Sequence, residues 1–243
     1  MKLLIKTVID AFQPTRCVSC GEITDDGEFL CDYCSEMLKP IDPLKRCKRC
    51  GLTKDKCVCK YRIYIFDGCI APFVNDGIAQ DITYAFKFHR KFTAADFLAG
   101  QMALCIKNEY RNVRFDCITC VPMHKAQLRK RGFNQSKVLA QKISGIIGVP
   151  YCDLLACSGR NHSQHKIKDI KKRFQNVKGK YKAIKPVKSR TVLIIDDIMT
   201  SGATLDECAG ILLRAGADRV YCATALRTEM KDKKKKSEEN HGN

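Results

Sequence analysis

The sequence contains no tryptophan and no long apolar run, and its 26 acidic residues are outnumbered by 44 lysines and arginines. Because no segment approaches the ~20 apolar residues that a membrane-spanning helix needs, we expect no membrane insertion. The apolar N-terminus is interrupted by Lys6, reaches Asp10 early and has no small-residue cleavage site, which argues against a signal peptide. We expect residues 1–16 to form a short amphipathic helix in a cytoplasmic protein.

Positive charge is present in excess and is unevenly distributed. The formal net charge is +18, and the segment 160–190 contains twelve lysines and arginines but a single acid, Asp169. Such a positive field attracts polyanions. A solvated, flexible basic loop is the alternative interpretation of this segment. For the lysine-rich tail, residues 229–243, disorder is the interpretation we favour.

The most informative segment is 191–204, where an aliphatic strand is followed by two acids and a small-residue turn. The predicted strand, 191–195, has the composition of a buried parallel strand and ends at Asp196 and Asp197. A helix is predicted from about 205 to 213, and a turn between a strand and a helix N-terminus is a ready anion site. Adjacent carboxylates suit sugar hydroxyls or a divalent metal, so the segment suits a phosphorylated ribose. The turn consists of Thr200, Ser201, Gly202, Ala203 and Thr204.

This segment resembles the phosphoribosyl pyrophosphate (PRPP) motif of type I phosphoribosyltransferases. A P-loop is excluded because no glycine-rich segment ends in Gly-Lys-Ser or Gly-Lys-Thr. The resemblance implies that Asp196 and Asp197, the candidate catalytic residues, hold the ribose hydroxyls, that the 200–204 turn wraps the 5′-phosphate, and that Mg²⁺ binds with PRPP. The alternative is a strand, turn and helix of an unrelated doubly wound fold with incidental acids.

Half of the sixteen cysteines lie in the front quarter of the chain. Because the protein is expected to be cytoplasmic, a disulfide framework is not expected, and the spacings instead suit one or two structural Zn²⁺ ions. We favour sequential pairing of the first four and the second four, with an interleaved arrangement left open. The tighter C-x-C spacing of the last pair weakens the prediction of a second site. The candidate ligands are Cys17, Cys20, Cys31, Cys34, Cys47, Cys50, Cys57 and Cys59.

Beyond residue 62, hydrophobic patterning predicts strands that alternate with helices, and hence a parallel sheet. Strands are expected at about 63–73, 115–121, 151–155, 191–195 and 220–226. Helices are expected at about 75–86, 94–108, 136–147 and 205–213. Because ligands bind at the carboxyl ends of such strands, we expect Pro122, Met123 and His124 to lie on the same edge as Asp196.

Taken together, the cysteine module, the segments 121–124 and 131–135, and the PRPP-like turn resemble the ComF family of competence-associated proteins, from residue 17 to about 227. The resemblance implies an α/β, type I phosphoribosyltransferase-like parallel sheet with a small N-terminal zinc-ribbon module. It implies that 1–62 form a helix and a double zinc ribbon, 63–228 the phosphoribosyltransferase-like domain, and 229–243 a basic tail. It also implies that 122–124 lie on the pyrophosphate side and that 160–180 form a mobile lid.

Two functions remain open at this point. The family resemblance implies a role in natural transformation, with PRPP and single-stranded DNA as ligands and other DNA-uptake proteins as candidate partners. The alternative is an active phosphoribosyltransferase of nucleotide or nucleobase metabolism without a DNA role. Exposed aromatic rings suit single-strand stacking, and Phe88, His89, Phe92 and Phe133 are candidates, although core packing is the simpler explanation for each phenylalanine. The candidate nucleic-acid contacts are Lys87, Arg90, Arg129, Arg131, Arg160, Lys171, Lys172 and Arg173.

Overall fold

The computed structural model of the chain describes residues 15–25, 28–158 and 170–229. Nearly all of the predicted N-terminal helix, residues 1–16, and of the lysine-rich tail, residues 229–243, lies outside these residues. The helices are α1 Asp32–Met37, α2 Gly77–His89, α3 Phe92–Glu109, α4 Lys125–Arg131, α5 Gln135–Ile147, α6 Ile170–Val177 and α7 Ala203–Arg214. The strands are β1 Gly68–Ile70, β2 Phe73–Val74, β3 Cys117–Cys120, β4 Leu155–Cys157, β5 Tyr181–Ala183, β6 Thr191–Met199 and β7 Arg219–Arg227.

A parallel sheet in the order β1-β7-β6-β3 forms the centre of the molecule, and β2 also pairs with β7. The two long central strands, β6 and β7, are almost entirely buried, as their aliphatic composition predicts. Cys120 at the end of β3 pairs with Ile195 of β6, so the segments that follow both positions share one sheet edge. The predicted α/β parallel sheet is therefore confirmed.

Successive residues of β6 supply two different cores. Leu193 and Ile195 pack with α2, α3 and α5 on one face, and Val192 and Ile194 pack with α7 on the other. This alternation follows from the period of two along a strand. None of the described helices is long and apolar enough to cross a membrane.

The two cysteine-rich segments pack on opposite faces of the sheet. The first, residues 15–38, contributes Cys17, Leu30 and Cys34 to the core of the α2–α3–α5 face. The second, residues 46–62, contributes Cys50 and Leu52 to the core of the α7 face. We call these segments the first and the second ribbon.

Several predicted elements differ from the structure. The strand expected at 63–73 is two short strands, β1 and β2, on either side of Pro72, which has no N–H for a ladder bond. The strand expected at 151–155 is reduced to a single bridge from Tyr151 to Ile118. Instead β4 pairs antiparallel with β5, a strand that lies within the segment interpreted as a basic loop. The sequence patterns also do not predict α4.

Candidate functional site

The acidic pair lies within a strand and not after its end. β6 continues through Asp196 and Asp197 to Met199, which corrects the predicted end at residue 195. Because Thr224 and Leu226 of β7 pair with Asp196 and Ile198, the neighbouring strand extends equally far. The carboxylates are thus attached to a rigid central strand, which fixes their position more firmly than a loop would.

The start of α5 supplies polar partners for both carboxylates. Ser136 Oγ donates to Asp196 Oδ1 at 2.7 Å, and Gln135 Nε2 donates to Asp197 Oδ2 at 3.1 Å. The Asp197 N–H also donates to Asp196 Oδ1, at 2.9 Å, and the Ile198 N–H donates to Asp197 Oδ1, at 2.8 Å. The Oε1 atom of the buried Gln135 has no hydrogen-bond partner among the described residues, so an acceptor beside the acids is left for a ligand.

The two carboxyl groups differ in their preferred charge. Burial and the adjacent charge of Asp197 raise the pKa of Asp196 to about 8. Burial also opposes ionisation of Asp197, but the Lys87 ammonium and the hydrogen bond from Gln135 hold its pKa below the ordinary value. At neutral pH the pair therefore carries one charge more readily than two.

Lys87 is the cation of this site. It lies in the last turn of α2, its side chain is 14% exposed, and its Nζ pairs with Asp197 Oδ2. We predicted Lys87 as a nucleic-acid contact from the basic run around it, but in the structure it faces the acidic pair. The sequence signal that distinguishes it from its neighbours is its spacing of four residues from the buried Thr83, which places both on the same face of α2.

The 200–204 turn connects β6 to the N-terminus of α7. Gly202 has a φ of +82°, and a Cβ there would lie 2.6 Å from both Met199 Cε and Tyr64 Cε1, so only glycine fits. Ser201 and Ala203 are buried, while Thr200 is exposed. This 200–204 turn, which we call the phosphate loop, has the form of an anion site at the start of a twelve-residue helix.

Three side chains hold the back of the phosphate loop. The Arg227 guanidinium is fully buried and donates to the carbonyl oxygens of Met199, at 2.9 Å, and Thr200. Arg62 and the Tyr64 hydroxyl both donate to the carbonyl oxygen of Ser201. The sequence patterns gave no reason to single out these residues, because they lie far from the loop in the chain.

The segment 121–124 lies on the same edge as the acids, as predicted, because the Val121 N–H donates to Ile195 O at 3.0 Å. Pro122 and Met123 follow directly, and His124 caps α4 by accepting from the Ala126 N–H at 3.2 Å. The segment 131–135, which contributes to the family resemblance, also contacts this edge of the sheet. Asn134 begins α5 and donates to Val121 O at 3.0 Å, which fixes the strand end beside the residues that contact the acids.

Each set of four cysteines is gathered as the sequential pairing predicts. Within each set the sulfur atoms lie within 4.8 Å of one another, in two separate clusters. Sulfurs that are about 2.3 Å from a tetrahedral zinc are about 3.8 Å apart, and the Cys47–Cys59 and Cys50–Cys57 separations are 3.9 and 3.8 Å. Both clusters therefore fit a structural Zn²⁺ ion, including the second, despite its C-x-C spacing.

Exposed aromatic and basic side chains cover one side of α2 and α4. Tyr84 and Phe88 are 54% and 56% exposed, and their ring centroids are 4.6 Å apart. The Arg131 guanidinium lies 5.1 Å from the Phe88 ring centroid, and His89 lies 5.6 Å from Tyr84. We call this set the aromatic–basic surface. It continues into a groove of about 570 Å³ that reaches the first ribbon and is lined in part by Arg16 and Lys91.

The remaining predicted contacts with nucleic acid are placed unequally. Arg90 is exposed, ends α2 and donates to the carbonyl oxygen of Arg131, and Arg129 is exposed on α4. Lys171, Lys172 and Arg173 lie on α6, and Arg160 lies outside the described residues. Of the candidate stackers, Phe92 is 46% exposed, whereas Phe133 is partly buried against Phe86.

Comparison of the sequence with known protein families and proteins agrees with this architecture. A profile described as Phosphoribosyl transferase domain matches residues 129–241, and one described as Double zinc ribbon domain matches residues 8–62. The chain is 24% identical to "Competence protein ComFC" of Streptococcus pneumoniae over 238 residues, which cover 87% of this chain and all of the relative. The chain is therefore similar over most of its length to ComF-type competence proteins.

Other relatives carry related names. The chain is 27% identical to "DNA utilization protein YhgH" of Escherichia coli over 212 residues, which cover 82% of this chain and 90% of the relative. It is 22% identical to "Competence protein F" of Haemophilus influenzae over 220 residues, which cover 84% of this chain and 93% of the relative. The two domain matches confirm the expected phosphoribosyltransferase-type fold with a double zinc ribbon, and the two cysteine clusters support structural zinc.

Metal analysis tests the two clusters. We expect two zinc ions per chain, and one in each of the double variants Cys20→Ser/Cys31→Ser and Cys57→Ser/Cys59→Ser, because a site with two thiolates removed binds the ion far more weakly. Inductively coupled plasma mass spectrometry of the purified proteins measures the ratio. A value of one or less for the unmodified protein would contradict the second site.

Carboxyl NMR tests the charge state of the acidic pair. We expect the ¹³C carboxyl resonance of Asp196 to titrate near pH 8, and at a pH lower by about one unit or more in Asp197→Asn. The substitution removes the repelling charge and leaves Lys87 without its carboxylate partner, and both changes favour ionised Asp196. Asp96→Asn, which changes an exposed carboxyl paired with Lys142, is the matched control and leaves the titration unchanged.

Proposed function

We propose that the chain is a PRPP-binding, phosphoribosyltransferase-like protein that handles single-stranded DNA in natural competence, in the cytoplasm. The similarity to proteins named for competence and DNA utilization, together with the phosphoribosyltransferase-type domain, supports a competence-related role. The observation that carries the PRPP part is the convergence of Asp196, Asp197 and the phosphate loop on one sheet edge.

The residues present fit PRPP in three respects. The phosphate loop leads into the N-terminus of α7, where free N–H groups and the helix dipole favour a phosphate. The acidic pair offers carboxylate oxygens for ribose hydroxyls, and the unpartnered Gln135 Oε1 lies beside it. Lys87 supplies a positive charge for the pyrophosphate group, provided that the ligand takes the place of Lys87 at Asp197.

Mg²⁺ bound with PRPP would neutralise charge on the pyrophosphate and so favour its departure. The chain's own contribution is to orient the ribose through Asp196 and Asp197, to hold the 5′-phosphate at the phosphate loop, and to place Lys87 beside the acids. Pro122, Met123 and His124 lie along the same edge, where the pyrophosphate side of the pocket is proposed. Catalysis would also require an acceptor, the molecule that receives the phosphoribosyl group. Release of pyrophosphate from PRPP in the presence of a candidate acceptor would favour the alternative function, an active phosphoribosyltransferase.

The aromatic–basic surface supports the DNA part of the proposal. Single-stranded DNA is bound without sequence preference by a positive surface that follows the phosphates and by aromatic rings on which bases stack. Tyr84 and Phe88 are exposed rings, the Arg131 guanidinium lies 5.1 Å from the Phe88 ring centroid, and Arg90 donates to the Arg131 carbonyl oxygen. The net charge of +18 raises the local concentration of such a polyanion.

Calorimetry tests the pocket. We expect the protein to bind PRPP in the presence of Mg²⁺, and Asp196→Asn/Asp197→Asn to bind at least about tenfold more weakly, a loss of about 1.4 kcal/mol or more, because the amides cannot accept as the carboxylates do. Asp96→Asn serves as the control for an exposed acid outside the pocket. Equal affinity of the double variant and the unmodified protein would refute the ribose assignment.

Fluorescence anisotropy with a labelled oligothymidylate tests the aromatic–basic surface. We expect Tyr84→Ala/Phe88→Ala to weaken binding by about 1–3 kcal/mol for each base that loses its stacking partner. Tyr61→Ala removes a ring that is 88% exposed outside this surface and should leave binding unchanged. Binding should also fall as salt is raised, because phosphate contacts release counterions. Equal losses in the two variants would place the DNA elsewhere.

A further inference from the structure

The second ribbon is joined to the phosphate loop by a buried arginine that is distant from both in the chain. Arg227, at the end of β7, has no exposed surface. Its Nε donates to the carbonyl oxygen of Cys50, a candidate zinc ligand, at 2.7 Å. Its Nη1 donates to the carbonyl oxygens of Met199 and Thr200 on the other side. One guanidinium thus connects a cysteine cluster to the phosphate loop.

The linker that follows the second ribbon makes further contacts with the loop. Arg62 and Tyr64 both donate to the carbonyl oxygen of Ser201, and the Tyr64 ring fills the space behind Gly202. The Tyr64 ring is itself stacked on Phe66, with centroids 4.7 Å apart. Three successive carbonyl groups, from residues 199 to 201, are therefore each contacted by Arg227 or by this linker, and Met199 O also accepts from the Thr228 N–H of the neighbouring strand end, at 3.0 Å.

Holding these carbonyls determines where the N–H groups of the loop point. A trans peptide unit is planar, so its C=O and the following N–H point in opposite directions. When the oxygens of Met199, Thr200 and Ser201 face the ribbon, the N–H groups of the next residues face away from it. These are the donors that an anion at the phosphate loop would need.

The buried positive charge of Arg227 is a second link to the ribbon. Among the described residues Arg227 forms no ion pair, although a buried cation without a counter-charge is costly. Four cysteine thiolates around one Zn²⁺ carry two net negative charges. A zinc ion held by Cys47, Cys50, Cys57 and Cys59 would leave this net negative charge near the guanidinium and stabilise it, whereas a cluster of neutral thiols would not.

We propose that the second ribbon is a positioning part of the phosphate site, and that Arg227, Arg62 and Tyr64 transmit its zinc-bound geometry to the N–H groups of the phosphate loop. The first ribbon has no such role, because it packs on the opposite face of the sheet. The inference concerns how the proposed PRPP pocket is held, and it rests on the proposed function only for the identity of the ligand.

Two readouts test this inference with matched variants. Cys57→Ser/Cys59→Ser removes the second zinc site, and Cys20→Ser/Cys31→Ser removes the first by changing its more accessible ligands. The readout is amide hydrogen exchange of Ala203 and Asp206, whose N–H groups donate to Ser201 Oγ and to Gly202 O. We expect only the second-ribbon variant to show at least tenfold faster exchange at these two positions, and only that variant to lose at least tenfold in affinity for PRPP with Mg²⁺. Equal effects of the two variants, or unchanged exchange in the second-ribbon variant, would overturn the proposal.

A further variant keeps both zinc sites. Arg62→Met/Tyr64→Phe should retain two zinc ions and the unmodified circular dichroism spectrum but still raise exchange at Ala203 and Asp206, because it removes only the two donors to Ser201 O. If the ribbon variants do not fold, this variant tests the proposal alone. Unchanged hydrogen exchange in this variant would overturn the proposal. Hydrogen exchange is measured without ligand. If the unmodified protein does not bind PRPP, the proposed function is refuted, but the exchange results still test this inference.

Discussion

Two adjacent carboxylates, Asp197 buried and Asp196 half-buried, lie at the carboxyl edge of the sheet, and the surrounding elements supply their partners. Removing an ionised group from water costs on the order of several kcal/mol unless partners replace the lost hydration. Here α5 begins with Gln135 and Ser136 at the acids, and α2 ends with Lys87 beside them. The position of both helices against the sheet is therefore set partly by this pair as well as by apolar packing.

A buried cation imposes a similar constraint on the other end of the site. Arg227 replaces most of its lost hydration with carbonyl oxygens from the second ribbon, β6 and the residue that follows β7, while its Nη2 has no hydrogen-bond partner among the described residues. This requirement brings a zinc-ribbon segment and the phosphate loop to the same point of the fold. The two ribbons are thus not equivalent, although their cysteine spacings look alike, because the second alone contacts this cation in the part of the chain that the structure describes.

Local patterns predicted the fold class, the two cysteine clusters and the shared edge of 121–124 and the acids, because each depends on near neighbours or on the direction of parallel strands. They did not predict that β6 continues to Met199, since adjacent acids look like a strand end when their partners are unknown. Nor did they predict the pairing of β4 with β5 or the role of Arg227. Those features depend on contacts between residues distant in the chain, which a sequence pattern does not contain.

The helix α2 contributes residues to both candidate sites, so a change at one site can affect the other through this helix. Its last turns direct Lys87 toward Asp197 and present Tyr84 and Phe88 to solvent. An anionic ligand that draws Lys87 away from Asp197 acts on the same turn that carries Phe88, next to Arg131. Any free energy of coupling between ligands at the two places must be equal in both directions. For the proposed ligands, the effect of PRPP on the DNA affinity and the effect of DNA on the PRPP affinity would therefore be one quantity.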